Sequence, residues 1–234
     1  MPRKDVACGA DPAQLVMPDD PKPYSEFVLI DLLDAYASNA PVPGGGSAAA
    51  LAGALGVSLL VMAARLPKSR TGAPEEATDL AEAGARLRLL RDTLVQLIDA
   101  DSDAYRAVMA AMKLPKTADD EKAVRTAALQ SALKGATDVP LDVMRAGQQA
   151  LAGAVIVARN AYRVAASDVA TGIELLASSV RSAGLSVDGN LAAIKDDSYT
   201  ARVSVEREEL ASDSARDGAL ALEILTGLRS SLRP

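Results

Sequence analysis

At 234 residues, 49% of them hydrophobic, the chain can bury one good core, and its length points to one domain or at most two. A formal net charge of −6, aromatics at 3% and no Trp exclude the basic face and stacking rings that a nucleic-acid binder needs. With no His and a single Cys, zinc and iron sites of ordinary ligand type are excluded, as is the imidazole proton shuttle, so any catalysis falls to Asp, Glu, Lys, Tyr or Ser.

Residues 1–23 carry Arg3, Lys4, Asp5, Asp19 and Asp20 among several prolines and no apolar core, so they read as a flexible tail and not as a secretion signal. The lone Cys8 lies there; it has no intrachain partner, and a reducing, cytoplasmic setting is expected. Ser25 is expected to cap a first helix with apolar positions Phe27, Val28, Ile30, Leu32, Leu33 and Tyr36.

Next comes Pro-Val-Pro-Gly-Gly-Gly-Ser-Ala-Ala-Ala-Leu-Ala-Gly-Ala-Leu-Gly at 41–56. Pro41 and Pro43 stiffen the approach, Gly44, Gly45 and Gly46 free the backbone, and Ser47 is placed as an N-cap. Such a helix start points N–H groups and the positive end of the helix dipole at an anion or a carbonyl. The alternative is a tight turn before a close-packed helix. No Lys follows Gly46 before Lys68 and no strand precedes the glycines, so neither a Walker loop nor a dinucleotide fingerprint is present. The uncharged tract Ser47–Ala64 is long enough to raise the question of a membrane span. Its Ala, Gly and Ser content suits a buried central helix instead.

Pro67 to Ala73 reads as a loop, and Pro74-Glu75-Glu76 opens a helix running to Lys113, stopped by Leu114-Pro115. Thr117 with Asp119, Asp120 and Glu121 opens another, to about Leu133, after which Lys134-Gly135-Ala136 is expected to break the chain. A helix from about Asp138, with Pro140 in its first turn, extends to about Ala158. Ser167-Asp168 starts one that ends near Gly184, a short helix covers Leu191 to Asp197, and a last one spans about Val203 to Leu228. The expectation for 24–234 is a single all-α domain, many-helical and packed around the Ala/Gly-rich central helix.

Three polar residues fall in apolar places. The stripe Leu87, Leu90, Leu94, Ile98, Tyr105, Val108, Met112 steps by three and four, and its rhythm lands on Asp101, which should point inward while Asp99 and Asp103 stay solvated. A buried carboxylate is costly unless paired or used, so Asp101 is either half of a structural ion pair or a site carboxylate. Asn190 shares a helical face with Val187 and Ile194. Asp168 sits in a first helical turn, where a dipole role is the ordinary explanation. Lys134 and Thr137 read as capping residues at the expected break, and Ser179, Ser182 and Ser186 as surface or packing residues.

The 41–56 segment resembles the signature of the cyclodeaminase/cyclohydrolase family of tetrahydrofolate enzymes. The resemblance continues in order through Ile98–Pro115, Ala128–Leu141, Ser167-Asp168 and Asn190–Asp196, over about residues 25–228. It implies an all-helical subunit that forms a homodimer, uses a tetrahydrofolate derivative as substrate, and has no metal and no tightly bound cofactor, no nucleic acid and no membrane. Two chemistries occur in the family: hydration of 5,10-methenyltetrahydrofolate to 10-formyltetrahydrofolate, and ring closure of formimidoyltetrahydrofolate with release of ammonia. The first is the leading expectation. The second, or a non-catalytic dimer that binds folate or protein, is the alternative. By the resemblance Asp101 is the catalytic carboxylate. Pro43, Gly44, Gly45, Gly46 and Ser47 face the pterin carbonyl or the folate carboxylates, Lys68 the acidic tail, Asn190 the pterin edge, and Tyr105 and Asp168 complete the binding site. The family's Asn-Leu-Thr and Gly-Lys-rich segment is replaced here by Arg65-Leu-Pro-Lys-Ser-Arg-Thr-Gly-Ala-Pro74, and its Gly-Asn-rich approach to Ser-Asp by Arg159–Ala166. The site is thus partly rewritten.

Overall fold

The computed structural model describes residues 23–230, so the expected tail up to residue 22, with Cys8, lies outside the described residues. A 3-10 turn at Tyr24–Glu26 leads into α1 (Leu29–Ala37), α2 (Gly45–Ala64), α3 (Pro74–Met112) and α4 (Asp119–Asn160). A second 3-10 turn at Arg163–Ala165 precedes α5 (Ala166–Leu191) and α6 (Asp197–Ser230). Among the described residues the only strand-like pairing is an isolated bridge between Ser69 and Ala161, so the fold is all-α as expected.

The Ala- and Leu-rich α2 has high helix propensity and is the central helix, packed against α3, α4 and α5. It is long and apolar enough to cross a bilayer. Here, however, its Ala50, Val57 and Leu60 are fully buried in one core with Leu87 and Leu94 of α3, Leu141 and Leu151 of α4, and Ile173 and Leu176 of α5. Small residues set the helix spacing. A Cβ on Gly56 would stand 2.7 Å from the carbonyl oxygen of Gly172, and one on Gly172 would stand 2.8 Å from that of Gly56, so α2 and α5 touch backbone to backbone. Two turns away, the buried Ser179 hydroxyl of α5 donates to Ala49 O of α2 at 2.6 Å, which satisfies a polar group inside the core.

The apolar stripe of α3 enters this core through Leu87, Leu94 and Ile98, all at most 2% exposed. Toward its C-terminus the helix leaves the core, and Met112 is exposed.

The structure departs from the sequence reading at four boundaries. Ser25 caps no helix: it lies in the 3-10 turn, and its hydroxyl donates to Asp99 Oδ2 at 2.7 Å while the Tyr24 N–H donates to Asp99 Oδ1 at 2.6 Å. Asp99 is therefore half-buried and bonded, not solvated; Asp103 is exposed and pairs with Arg106 at 2.6 Å. The break expected at Lys134–Ala136 is absent, and α4 runs unbroken through Gly135 and Pro140. Proline removes the N–H that would bond four residues back to Ala136 O. That carbonyl is instead taken by the Asn190 side-chain amide at 2.7 Å, and buried Thr137, Pro140, Leu141 and Met144 hold the segment in the core. Finally, α5 continues past Gly184 to Leu191, and the expected short helix at Leu191–Asp197 is a turn. Asp196 caps α6 there, accepting from the Tyr199 N–H at 3.0 Å, and Lys134 reaches it at 2.6 Å. Lys134, with the hydrogen-bonded Ser198 and Tyr199, holds the Asp196 carboxyl well below the usual range. Lys134 thus ties α4 to the start of α6, where the sequence suggests a cap.

Because the obstruction at the α2–α5 crossing is backbone, it cannot yield as a flexible side chain would. Gly56→Ala is expected to destabilise the fold by roughly 1–3 kcal/mol, the range for overpacking, in a urea melt. Gly45→Ala, whose Cβ meets nothing within 4 Å, should leave the midpoint nearly unchanged.

Candidate functional site

Asp101 projects from α3 onto the first turn of α2. Its Oδ2 accepts the backbone N–H of Ser47 at 2.9 Å, and no Lys or Arg pairs with it among the described residues. The structural ion pair left open by the sequence is therefore absent. Gly46 makes the contact possible: a Cβ there would lie 2.6 Å from Asp101 Cγ and closer still to Oδ1. Gly46 serves by its missing side chain, and none of the three glycines by unusual backbone angles. Gly44 has an ordinary extended conformation, and among the described residues the one glycine with positive φ is Gly72.

The first turn of α2 is consequently occupied by the protein itself. Gly44, not Ser47, is the N-cap. Ser47 stands three residues on, fully buried; its hydroxyl donates to Gly44 O at 3.0 Å and accepts the Gly44 N–H at 3.1 Å. The Tyr36 hydroxyl donates to the same Ser47 Oγ at 3.3 Å. Burial above all pushes the Tyr36 phenol up, so it remains a donor. Tyr36 reads in the sequence as one more apolar-face residue of the first helix, and nothing in its spacing marks this role. Burial also raises the Asp101 pKa above the ordinary carboxylate value, and the Ser47 N–H offsets this only in part.

In front of Asp101 lies a cleft of about 400 Å³ between the Pro41–Gly45 turn, α3, α4 and α5. Asp101 and Tyr105 of α3 face it, together with Gly44, Gly45 and, from α5, Ser186 and Asn190. Asp101 is its one carboxylate. Val108, Leu133 and Ala136 give it apolar walls suited to a flat heterocycle. Ser186, a surface or packing residue by sequence, is thus part of the lining. A groove of about 490 Å³ between α3 and α4 is larger, but Leu87, Leu89, Leu90 and Ile156 dominate it and its one charged group is Arg86. It has no acid or base to offer, so the chemistry selects the cleft at Asp101.

The remaining candidate residues separate from this cleft. Pro43, Gly46 and Ser47 are buried behind the Asp101 carboxylate and do not line it. Lys68 lies over the Tyr162 ring at 5.8 Å, in the loop joined to the end of α4 by the Arg70 N–H to Asn160 O bond of 2.8 Å. Glu76 holds the same loop, accepting from the Thr71 N–H at 2.8 Å; that bond and those to Ser69 and the Thr71 hydroxyl pull its carboxyl down to about 2. Asp168 sits in the first turn of α5, adjoining Tyr162, whereas Asn190 is at the last turn of the same helix. At a rise of 1.5 Å per residue the two are roughly 33 Å apart. Within one chain, therefore, Lys68 and Asp168 do not meet Asp101.

The family model described as formiminotransferase-cyclodeaminase matches residues 28–209. The chain is 37% identical over 200 residues to methenyltetrahydrofolate cyclohydrolase of Methylorubrum extorquens, a match that covers 86% of this chain and 95% of that protein. It is 29% identical over 204 residues to formimidoyltransferase-cyclodeaminase of Gallus gallus, covering 87% of this chain but only 37% of that longer protein. Among solved structures, formiminotetrahydrofolate cyclodeaminase of Thermotoga maritima shares the fold with a TM-score of 0.77 at 25% identity, covering 87% of this chain and 98% of that one.

The raised Asp101 pKa has a consequence for stability. Between the unfolded value and the raised folded value the native state binds more protons, so stability falls as pH rises through that window and the penalty is complete above it. Asp101→Asn keeps an acceptor for the Ser47 N–H and removes the charge. Its melting temperature should exceed the wild type's at neutral pH, with the difference shrinking on acidification. A variant that melts lower at neutral pH would contradict the desolvated carboxylate.

Proposed function

The chain belongs to the formiminotransferase-cyclodeaminase family, and from that membership we propose that it hydrolyses 5,10-methenyltetrahydrofolate to 10-formyltetrahydrofolate in the cleft at Asp101. The observation that carries the reading is a single carboxylate, its pKa raised by burial, free of any counter-cation among the described residues, and held at a fixed place in a cleft with no other charged group. A cationic amidinium supplies the missing positive charge, so the substrate itself compensates the buried anion.

In this mechanism water adds to the amidinium carbon between N5 and N10 while Asp101 accepts one of its protons, giving a neutral tetrahedral adduct. Collapse breaks the bond from that carbon to N5. Asp101 returns its proton to N5, the adduct hydroxyl loses its own to solvent, and the carbonyl of 10-formyltetrahydrofolate forms. The balance is one cation and one water consumed, one neutral product and one proton released. The Ser47 N–H keeps Oδ2 in place and with it the orientation of the carboxylate.

A second reading, closure of formimidoyltetrahydrofolate with loss of ammonia, is favoured by the likeness to the Thermotoga maritima structure along almost its entire length. There N10 attacks the formimidoyl carbon, and a carboxyl with a raised pKa is suited to protonate the departing nitrogen. A homodimer is part of the proposal. The apolar Val28, Leu29, Ile30 and Leu33 at α1 are 51–70% exposed, which suits burial against a second copy, and a partner is the available source of a Lys68 and an Asp168 near this cleft.

Enzyme-dependent loss of the near-ultraviolet absorbance of methenyltetrahydrofolate, measured over the buffer rate, should be lowered on the order of a hundredfold or more by Asp101→Asn. Retention of full turnover in that variant refutes the assignment. Ammonia released from formimidoyltetrahydrofolate distinguishes the second reaction, and light scattering should return about twice the 24.1 kDa chain mass for the dimer.

A further inference from the structure

Residues 24–37 are joined to the bundle by little apolar contact: in α1 the one buried residue is Leu32. Polar bonds hold the two ends of this segment. At its start the Tyr24 N–H and the Ser25 hydroxyl donate to the two oxygens of Asp99. At its end the Tyr36 hydroxyl donates to Ser47 Oγ. Tyr36 follows Leu32 by four residues, so both stand on the inward face of α1. Both attachments end beside Asp101. Asp99 precedes it by two residues on α3, and the Ser47 N–H is the donor to its Oδ2.

A serine hydroxyl has one hydrogen to give and two lone pairs to offer. Ser47 gives its hydrogen to Gly44 O and takes the Gly44 N–H on one lone pair; the Tyr36 O–H fills the other. The two bonds to Gly44 tie the side chain only to its own turn. The bond from Tyr36 is the one that ties it to another helix. Burial first, then the charges of Asp101 and Asp99 with Tyr24 beside them, push the phenol up, and the bond to Ser47 offsets part of this, so Tyr36 keeps its hydrogen. Asp101 is thus close enough to act on the phenol, yet the O–H goes to Ser47 Oγ and not to the carboxylate. Among the described residues Asp101 keeps a single donor, the Ser47 N–H.

We propose that Tyr36 is a positioning residue for the reaction at Asp101: through Ser47 it fixes the first turn of α2, and with it the one N–H that aligns the carboxylate. This rests on the reading of the cleft as a site of methenyltetrahydrofolate hydrolysis. Tyr36 does not line the cleft, so its action passes through Ser47 and not through contact with substrate. A weakly anchored helix thereby acquires a part in the chemistry: its last turn sets the direction of an acid that α3 carries.

The test is the pH dependence of methenyltetrahydrofolate hydrolysis by the full chain, read by near-ultraviolet absorbance in the wild type and in Tyr36→Phe. The variant keeps the ring and loses one hydrogen bond, and a thermal melt checks that it folds. Its kcat should fall about tenfold, short of the roughly hundredfold that a misplacement of about 1 Å costs, with KM unchanged. The acidic limb of kcat should move to higher pH, because the Ser47 N–H favours the charged carboxylate and a looser N–H favours it less. The titratable groups near Asp101 are Tyr36 from α1 and Tyr105 on α3 itself; the cleft residues of α2, α4 and α5 add none. In a Ser47→Ala background, where the acceptor is gone, Tyr36→Phe should change neither kcat nor the limb further.

A folded Tyr36→Phe with the kcat and limb of the wild type overturns the assignment. So does a rise in KM that accounts for the loss, or an effect of full size persisting in Ser47→Ala. A Tyr36→Phe chain that does not fold overturns it too, since the hydroxyl is then a support of the fold and not an aligning group. Wild-type protein that leaves methenyltetrahydrofolate at the buffer rate overturns the hydrolase reading and this inference with it. Wild-type turnover matched by Tyr36→Phe overturns this inference alone.

Discussion

The missing Cβ at Gly46 is the constraint on which the site depends. Any side chain there would occupy the volume of the Asp101 carboxylate, so the acid could not reach the first turn of α2 or the Ser47 N–H. The same requirement for small residues recurs along α2. Gly53 makes room for the Ser179 hydroxyl, and Gly56 for the backbone of α5 at Gly172. A helix built for close approach buries little apolar area per residue, and its neighbours supply the bulk through Leu, Ile and Val. One compositional habit thus sets the spacing of the core and the placement of the acid.

That placement works against stability. The helix dipole and one N–H favour the charged carboxylate, yet desolvation outweighs them and the pKa rises. Among the described residues no arginine or lysine relieves the charge. In a structural role such a group would be replaced or paired, whereas a site that binds a cation gains from leaving it unpaired. The clamp at the other wall of the cleft is conventional by contrast. Lys134, Asp196 and Tyr199 bond one another at the junction of α4 and α6, and the Tyr199 hydroxyl donates to Asp138 at 2.7 Å. This network fixes the turn that follows Asn190 and so supports the last turn of α5.

How much of this was legible depended on whether the cause was local. The inward direction of Asp101 follows from helical periodicity, because α3 is one regular helix and the stripe fixes its faces. The all-α class follows likewise from the absence of alternating strands. The reason for the glycines was not legible. Backbone freedom is the common use of Gly-Gly-Gly, and only the approach of α3, fifty-odd residues later, shows that space is what Gly46 provides. Lys134-Gly135-Ala136 read as a break and Pro140 as the first turn of a new helix, since local propensity opposes a continuous helix there; the compensating bond comes from Asn190, on another helix. Ser25 met the rule for a cap but was claimed by Asp99. Asp168 came from a family motif and Lys68 from the segment that replaces one, and motif order carries no information about which end of a helix faces which cleft.

The two chemistries of the family share the same electrophilic carbon, and the cleft explains why one carboxylate can serve both. Hydration needs a base for water, and ring closure needs an acid for departing nitrogen. A carboxyl raised by burial moves toward the pH at which both forms are present, so one group can take either part. Asp101 therefore cannot by itself decide between the reactions. On the proposed chemistry the choice turns on whether water or N10 is presented to that carbon, and the apolar walls shape the space in which it is presented. Those walls are Val108 of α3 and Leu133 and Ala136 of α4, and their position follows from the unbroken course of α4 past Pro140. The shape of the cleft is thus tied to a helix that local sequence alone would have interrupted.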